Sequence, residues 1–304
     1  PRSCPTSSDD QTFRVIDLIT VASEHLQAKG FENARLEVER LLGSVLGMRR
    51  MELYLAFDRP VDEHDRDSFR ALYKRRLARE PLQHLLGETG FREVTIKTDR
   101  RALIPRPETE LIVEEAAAFL RSKDNPLVAD LGTGTGAIAL SVACEVPGAT
   151  VVAVDISEDA LLLAKANARR LGLEDVVTLV CGDMIACLEG RGPFDAILSN
   201  PPYVRTGDID GLEPEVSRYE PRTALDGGIE GMDHLNRLAD TAHTHLKPGG
   251  LLVVECAEDQ ADRLRDRIMA GGQYDSAEIV YDLAGRKRMV KAMKKVKSES
   301  KVES

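Results

Sequence analysis

Apolar positions in the first eighty residues recur at helical spacing. Val15, Ile19, Ala22 and Leu26 form one stripe, Ala34, Val38, Leu41, Leu42 and Val45 a second, and Phe69, Leu72, Tyr73 and Leu77 a third. Residues from about Gln11 to Glu80 are therefore expected to form a small helical bundle. Gly30 separates the first two helices, Pro60 precedes the last, and Pro81 is expected to end the set. Leu85 to Arg100 reads as extended, with turns at Gly87 and Gly90 and a strand at Val94-Thr95-Ile96. From Pro126 the pattern changes to short apolar runs alternating with helical stripes, the signal of a parallel α/β sheet. Strands are expected at Leu127 to Leu131, Thr150 to Val154, Val176 to Val180, Phe194 to Leu198 and Leu251 to Glu255. Helices are expected from about Gly136, Glu158, Met232 and Asp259. Ala277 to Leu283 and Lys287 to Met293, around Ala284-Gly285-Arg286, read as a β-hairpin. The domain boundaries expected from these shifts are 1–84 (helical), 85–100 (a β-hairpin linker) and 101–304 (α/β).

Composition narrows the class. The 304 residues carry a net charge of −10, so the surface as a whole does not attract nucleic acid. No apolar run approaches the roughly 20 residues that span a bilayer, and no membrane association is expected. The first ten residues are polar, without a signal-peptide core and without an initiator Met, so a trimmed chain is expected. The five cysteines (Cys4, Cys144, Cys181, Cys187, Cys256) form no CxxC pair, which fits reduced thiols and a cytoplasmic location. A Lys/Ser/Glu-rich tail is expected from Lys291. His243 and His245, near a helix end, lack a ligand framework; they are expected to face solvent, and no metal site is expected.

Candidate chemistry begins at Asp130-Leu131-Gly132-Thr133-Gly134-Thr135-Gly136-Ala137, a loop between the first core strand and a helix. Glycines there permit a tight turn and close approach to a ligand. Asp155 ends the next strand, where a carboxylate can hold two ribose hydroxyls. Gly132, Gly134 and Ala137 satisfy the dinucleotide pattern, and the same loop satisfies the Gly-x-Gly-x-Gly pattern of S-adenosylmethionine enzymes. A phosphate-cradling P-loop is excluded, because no Gly-Lys-Ser/Thr follows. Asp183 follows the third strand, where it can accept from an adenine amine, and Met184 offers a polarizable face to the base.

The apolar run Phe194 to Leu198 leads into Ser199-Asn200-Pro201-Pro202-Tyr203. Two prolines have fixed φ and no N–H, and they bias Asn200 to an extended backbone. The expected result is a stiff rim at a strand's carboxyl end, where open α/β sheets bind ligands. Such a rim suits methylation of a carboxamide or exocyclic amine, whose nitrogen lone pair is delocalised. The Asn200 side-chain oxygen and the Pro201 carbonyl can hold both N–H protons, and Pro202 stiffens the turn. Tyr203 can stack on the flat group. Hydride transfer has no use for this constellation. Upstream, Arg106 is pinned between Pro105 and Pro107, either as part of a rigid linker or facing a substrate.

These motifs together resemble the peptide chain release factor glutamine methyltransferases over nearly the whole chain. The resemblance rests on Ala34-Arg35, Leu103 to Glu110, Asp130 to Gly136, Asp155-Ile156-Ser157, Asn200 to Tyr203, Tyr219-Glu220-Pro221, Ala224-Leu225-Asp226-Gly227-Gly228, Lys247-Pro248-Gly249-Gly250 and Ala284-Gly285-Arg286. It implies a Rossmann-like class I methyltransferase domain, α/β, with a parallel sheet ending in an antiparallel hairpin, preceded by a small all-α N-terminal domain. The implied donor is S-adenosylmethionine, leaving as S-adenosylhomocysteine. The implied acceptor is the glutamine of the Gly-Gly-Gln loop in class 1 release factors. By resemblance, Gly132, Thr133, Gly134, Thr135, Gly136, Asp155, Asp183, Met184 and Asn200 bind the cofactor. Asn200, Pro201, Pro202 and Tyr203 carry catalysis and, with Arg106, hold the substrate, while the helical domain grips the release factor. Glu255-Cys256-Ala257 departs from the family's usual Glu-Ile-Gly, and Met184 stands where an aromatic is frequent. Three rival readings are an adenine-specific DNA or RNA methyltransferase, a non-catalytic termination adaptor and, more distantly, a nicotinamide dehydrogenase. Gly271-Gly272-Gln273 matches the substrate tripeptide but is expected at the amino ends of the strands, away from the cofactor.

Overall fold

The computed structural model describes residues 13–296. Cys4, the polar start and the last residues of the tail lie outside them. The chain divides between Leu86 and Gly87 into two compact units.

The first unit is helical: α1 (Val15–Ala28), α2 (Ala34–Leu46), α3 (Arg50–Leu55), α4 (Glu63–Leu77) and α5 (Leu82–Leu86). Its core is the stripe read from the sequence, with Val15, Ile19, Leu26, Val38, Leu41 and Leu42 fully buried. Pro81 does not end the helices. It opens the turn of α5, where its missing N–H costs nothing and its carbonyl accepts from Leu85 N–H. The Glu39 carboxylate is buried in this unit among Arg35, Arg50 and Tyr54. Burial pushes it up, but bonds from Arg50, Arg35 and Tyr54 outweigh that and hold it below its ordinary value.

The second unit opens with a hairpin, β1 (Glu88–Phe91) and β2 (Val94–Lys97). Gly90 is not a turn, since it pairs with Thr95 inside the hairpin. The reversal is at Arg92, which takes a positive φ of 50°. Phe91, Val94 and Ile96 enter the core of this unit. Helix α6 (Glu110–Leu120) then leads to β3 (Leu127–Leu131), α7 (Ala137–Glu145), β4 (Thr150–Asp155), α8 (Glu158–Leu171), β5 (Val177–Cys181) and β6 (Phe194–Ser199). A short α9 (Pro214–Ser217), α10 (Asp233–Thr241), β7 (Leu246–Glu255), α11 (Ala261–Ala270), β8 (Tyr274–Tyr281) and β9 (Lys287–Lys294) complete it.

Seven strands form one sheet in the order β5-β4-β3-β6-β7-β9-β8. The first five are parallel, and β9 runs antiparallel between β7 and β8 at the end. This is the class I methyltransferase fold. Strand β7 starts at Leu246, earlier than its apolar run suggests, because Lys247 to Gly250 bulge between the Phe194–Leu246 and Ala196–Leu251 pairings. Lys291 to Lys294 belong to β9 rather than to a tail, since Val290 and Ala292 alternate inward. His243 is half-buried against the edge of Tyr274 rather than solvent-facing, and burial lowers its pKa.

Connections leave β3 toward β4 on one side, while β6 lies on its other side. The crevice between the carboxyl ends of β3 and β6 is where such sheets bind ligands. Gly271-Gly272-Gln273 joins α11 to β8, beside the amino half of β7, because Tyr274 pairs with Lys294 and Met293 with Leu251. It lies at the opposite end of the strands from Asn200.

Candidate active site

An open cleft of about 970 Å³ lies at the carboxyl ends of β3, β4, β5 and β6. Of the residues singled out from the sequence, Gly132, Thr133, Gly134, Thr135, Asp155, Asp183, Met184, Asn200 and Pro202 line it. Gly136, Pro201, Tyr203 and Arg106 do not.

The glycine loop owes its path to three positive φ angles, at Gly132, Gly134 and Gly136. Gly136 serves packing: a Cβ there would sit 3.1 Å from Leu140 Cδ1 and 3.3 Å from Ala164 Cβ, wedged between α7 and α8. Asp155 holds the loop from β4. One carboxylate oxygen accepts Gly134 N–H at 2.8 Å and the other accepts Ser157 N–H at 2.9 Å. Burial raises its pKa against these bonds. Each oxygen keeps a lone pair for a hydroxyl donor. Asn167 on α8 braces the loop from behind, donating to the Thr135 carbonyl at 2.9 Å and exchanging bonds with both backbone groups of Lys97.

Asp183 is shared: Arg237 donates to its carboxylate at 2.6 Å, which leaves the second oxygen available. Met184 lines the cleft with its backbone at a φ of +47°, rare for a side-chain-bearing residue outside glycine. Cys256 and Ala257, the departure after β7, lie away from the cleft lining.

The proline rim is clamped from both sides. Val204 bridges to Asp226, and Gly227 comes so close that a Cβ on it would lie 2.7 Å from Tyr203 Cα. Gln260 donates to the Tyr203 carbonyl at 2.9 Å. Asn200 donates through Nδ2 to Thr109 Oγ1 at 3.0 Å, and its Oδ1 makes no hydrogen bond among the described residues. Thr109 and Tyr203 both donate to Glu255, at 2.7 and 3.1 Å. The Tyr203 ring packs against the core cluster. Arg106 is bound to Glu220 at 2.6 Å, and Glu220 also accepts Ile104 N–H. Burial raises the Glu220 pKa even with that partner.

Comparison with known proteins decides the family. The PrmC N-terminal domain family matches residues 17–87, and the Methyltransferase small domain family matches residues 109–212. The release factor glutamine methyltransferase of Rhodopirellula baltica is 37% identical over 292 residues, covering 95% of this chain and 99% of that protein. That of Geobacter sulfurreducens is 44% identical over 238 residues, 78% of this chain and 82% of the relative. The chain belongs to the release factor glutamine methyltransferase family. Among solved structures, the hMettl16 catalytic domain superposes with a TM-score of 0.57 at 14% identity, covering 72% of this chain and 82% of that one, which is a likeness of fold.

Release factor glutamine methyltransferases are enzymes whose methyl donor is S-adenosylmethionine, and the cleft fits it. Asp155 and Asp183 bring negative charge to a cleft otherwise lined largely by small and apolar residues, and its arginine, Arg101, is paired with Asp99, which suits a cationic sulfonium better than a pyrophosphate. No helix among the described residues is long and apolar enough to cross a membrane. Sequence reasoning missed Thr109, Asn167, Glu255 and Gln260. All four are polar and nearly fully buried, and each bonds to the loop or the rim. A polar residue inside an apolar stripe, or an acid ending an apolar strand, is the signal that marks such positions.

Proposed function

We propose that this chain methylates the side-chain amide nitrogen of the glutamine in the Gly-Gly-Gln loop of class 1 peptide chain release factors, in the cytoplasm. The observation that carries this reading is Asn200. Its amide sits in the cleft at the end of β6, with the nitrogen tied to Thr109 and the oxygen open to a ligand.

When bound, S-adenosylmethionine supplies an electrophilic methyl carbon and leaves as S-adenosylhomocysteine. Gly132, Thr133, Gly134 and Thr135 provide its floor, Asp155 accepts from its ribose hydroxyls, and Asp183 and Met184 flank its adenine. Gly136 holds the loop in shape by packing. Asn200 Oδ1 and the Pro201 carbonyl accept the two N–H protons of the substrate amide and turn its lone pair out of conjugation. Pro202 fixes the turn, and Tyr203, whose ring packs against the core and whose phenol donates to Glu255, anchors the rim rather than stacking on the amide. Carbonyl dipoles favour the positive charge that grows on nitrogen, which then loses one proton through its acceptor to solvent. Holding both reactants in line replaces an entropic barrier of roughly 7–11 kcal/mol at best. Arg106, fixed by Glu220 beside Pro105, faces the incoming release factor, and the helical unit (1–84) grips it, with 85–100 as the connecting hairpin and 101–304 as the catalytic domain.

The test is incubation with labelled S-adenosylmethionine and a bacterial class 1 release factor, beside the same factor with its Gly-Gly-Gln glutamine changed to alanine. Label is expected only in the first. Asn200→Ala should lower turnover by roughly 10²–10³, as loss of one polar stabiliser does. Equal labelling of both factors, or wild-type turnover in the variant, refutes the reading.

A further inference from the structure

Glu255 lies off the cleft, yet both of its carboxylate oxygens are committed to residues that shape it. It ends β7 and is 2% exposed. Oε2 accepts the Thr109 hydroxyl at 2.7 Å, and Oε1 accepts the Tyr203 phenol at 3.1 Å. Thr109 Oγ1 in turn accepts Nδ2–H of Asn200 at 3.0 Å. The turn before α6, the exit of β6 and the end of β7 thus converge on one acid.

Donor direction along this chain is forced. An ionised carboxylate only accepts, and a threonine hydroxyl has one proton. With that proton committed to Glu255, Thr109 has only lone pairs left for Asn200. Asn200 must therefore turn its NH₂ toward Thr109, which leaves Oδ1 as the atom offered to a ligand. The opposite amide orientation would set Oδ1 against a lone pair and offer N–H to the N–H of a substrate amide.

We propose that ionised Glu255 is a positioning residue for methyl transfer: acting through Thr109, it holds the Asn200 amide in the one orientation that accepts from the substrate glutamine. The inference rests on the reading of Asn200 given above. Protonation undoes the arrangement. A neutral acid can donate to Thr109, whose proton is then free to turn to Asn200, and the amide loses its reason to stay put.

The groups facing Glu255 are Thr109 and Glu108 from the turn before α6, Tyr203 from the rim, and Arg288 from β9. Burial acts most strongly and Glu108 adds to it. Bonds from Thr109 and Tyr203 and the charge of Arg288 oppose, and the carboxyl stands at about 7. The active, ionised form therefore grows as pH rises through neutrality.

The experiment measures kcat and KM for S-adenosylmethionine between about pH 6 and pH 8 with a bacterial class 1 release factor as substrate. Wild type should gain turnover across that range. Glu255→Gln keeps the volume and cannot ionise, so its kcat should vary by less than about twofold over the same range. Thr109→Val should lose roughly tenfold or more in kcat with KM for the donor within about twofold, and Thr109→Ser should recover most of it. Rescue by serine is not expected of a residue that merely fills space. A flat wild-type profile, an unchanged acid limb in Glu255→Gln, or wild-type kcat in Thr109→Val overturns the proposal. Asn200→Ala, run alongside, separates the two failures. If it is inactive while Thr109→Val is normal, only the positioning role falls. If it is fully active, the reading of Asn200 falls and takes this role with it.

Discussion

Replacing Asn167 with alanine tests how the glycine loop is held. Asn167 is 0% exposed and lies on α8, where its side chain makes three hydrogen bonds. Oδ1 accepts Lys97 N–H at 2.8 Å, while Nδ2 donates to the carbonyls of Lys97 at 3.2 Å and Thr135 at 2.9 Å. It therefore ties the end of β2 to the loop that lines the cleft. Each lost bond costs about 1 kcal/mol net, and an orphaned buried carbonyl costs at least as much, so Asn167→Ala should lose about 3 kcal/mol. For a unit of this size that lowers the melting temperature by about 6–12 °C. Calorimetric melting of the full chain reads this directly. Titration with S-adenosylmethionine should also show affinity falling by roughly tenfold, about 1.4 kcal/mol, because Thr135 loses its anchor. Asn167→Asp sharpens the test. It keeps the bond to Lys97 N–H but turns an acceptor on two carbonyls, and should be no more stable than the alanine variant. Melting within about 2 °C of wild type, with unchanged donor affinity, would refute the bracing role.

Gly227→Ala places a methyl 2.7 Å from Tyr203 Cα and 2.9 Å from the Pro202 carbonyl oxygen. The rim must shift, so kcat should fall by roughly tenfold or more while donor affinity holds, and equal kinetics to wild type would argue against the clamp. Asp130, fully buried, is pushed up to about 7, chiefly by burial, from an ordinary 3.8. Its folded pKa lies above its unfolded one, so its contribution to stability is complete below about pH 4 and is lost as pH rises through about 7. Asp130→Asn cannot titrate, and urea unfolding should show a smaller fall in stability between those limits; parallel profiles would contradict this.

Most of the sheet was legible because its strands are continuous apolar runs bounded by turn residues. β3 runs Leu127–Leu131 as the sequence indicates, and β4, β5 and β6 each extend by one residue at the carboxyl end, where ligand residues begin. The misreadings have local causes. Pro81 reads as a helix end and Gly90 as a turn, but a proline is equally at home in a first helical turn, and glycine pairs in a short exposed hairpin. The bulge in β7 was invisible because Lys-Pro-Gly-Gly reads as a turn, and only the register across β6 keeps it in the strand. At the site, spacing located nine of the residues that line the cleft. It did not reveal Thr109, which also lines it, or Glu255, Asn167 and Gln260, which stand behind it, since no local pattern ties Thr109 to Glu255 across 146 positions.

That hidden layer explains how a short loop and a proline turn can act as rigid parts. Pro201 and Pro202 remove backbone freedom at two residues, but they do not set the orientation of the Asn200 side chain. Its nitrogen is set by Thr109, and Thr109 is set by an acid at the end of the neighbouring strand. On the donor side the logic repeats: glycine supplies the curvature, while Asp155 and Asn167 supply the hydrogen bonds that keep it. Glu255 and Asp155 anchor these layers at strand ends, and Asn167 does so from a helix face. Sites anchored that way keep their geometry when a ligand is absent, so less ordering cost falls on the binding step. In the reaction proposed for Asn200, at a nitrogen as poorly nucleophilic as an amide, the angle at which two acceptors meet two N–H bonds would decide the outcome, and buried polar residues behind the cleft would hold that angle.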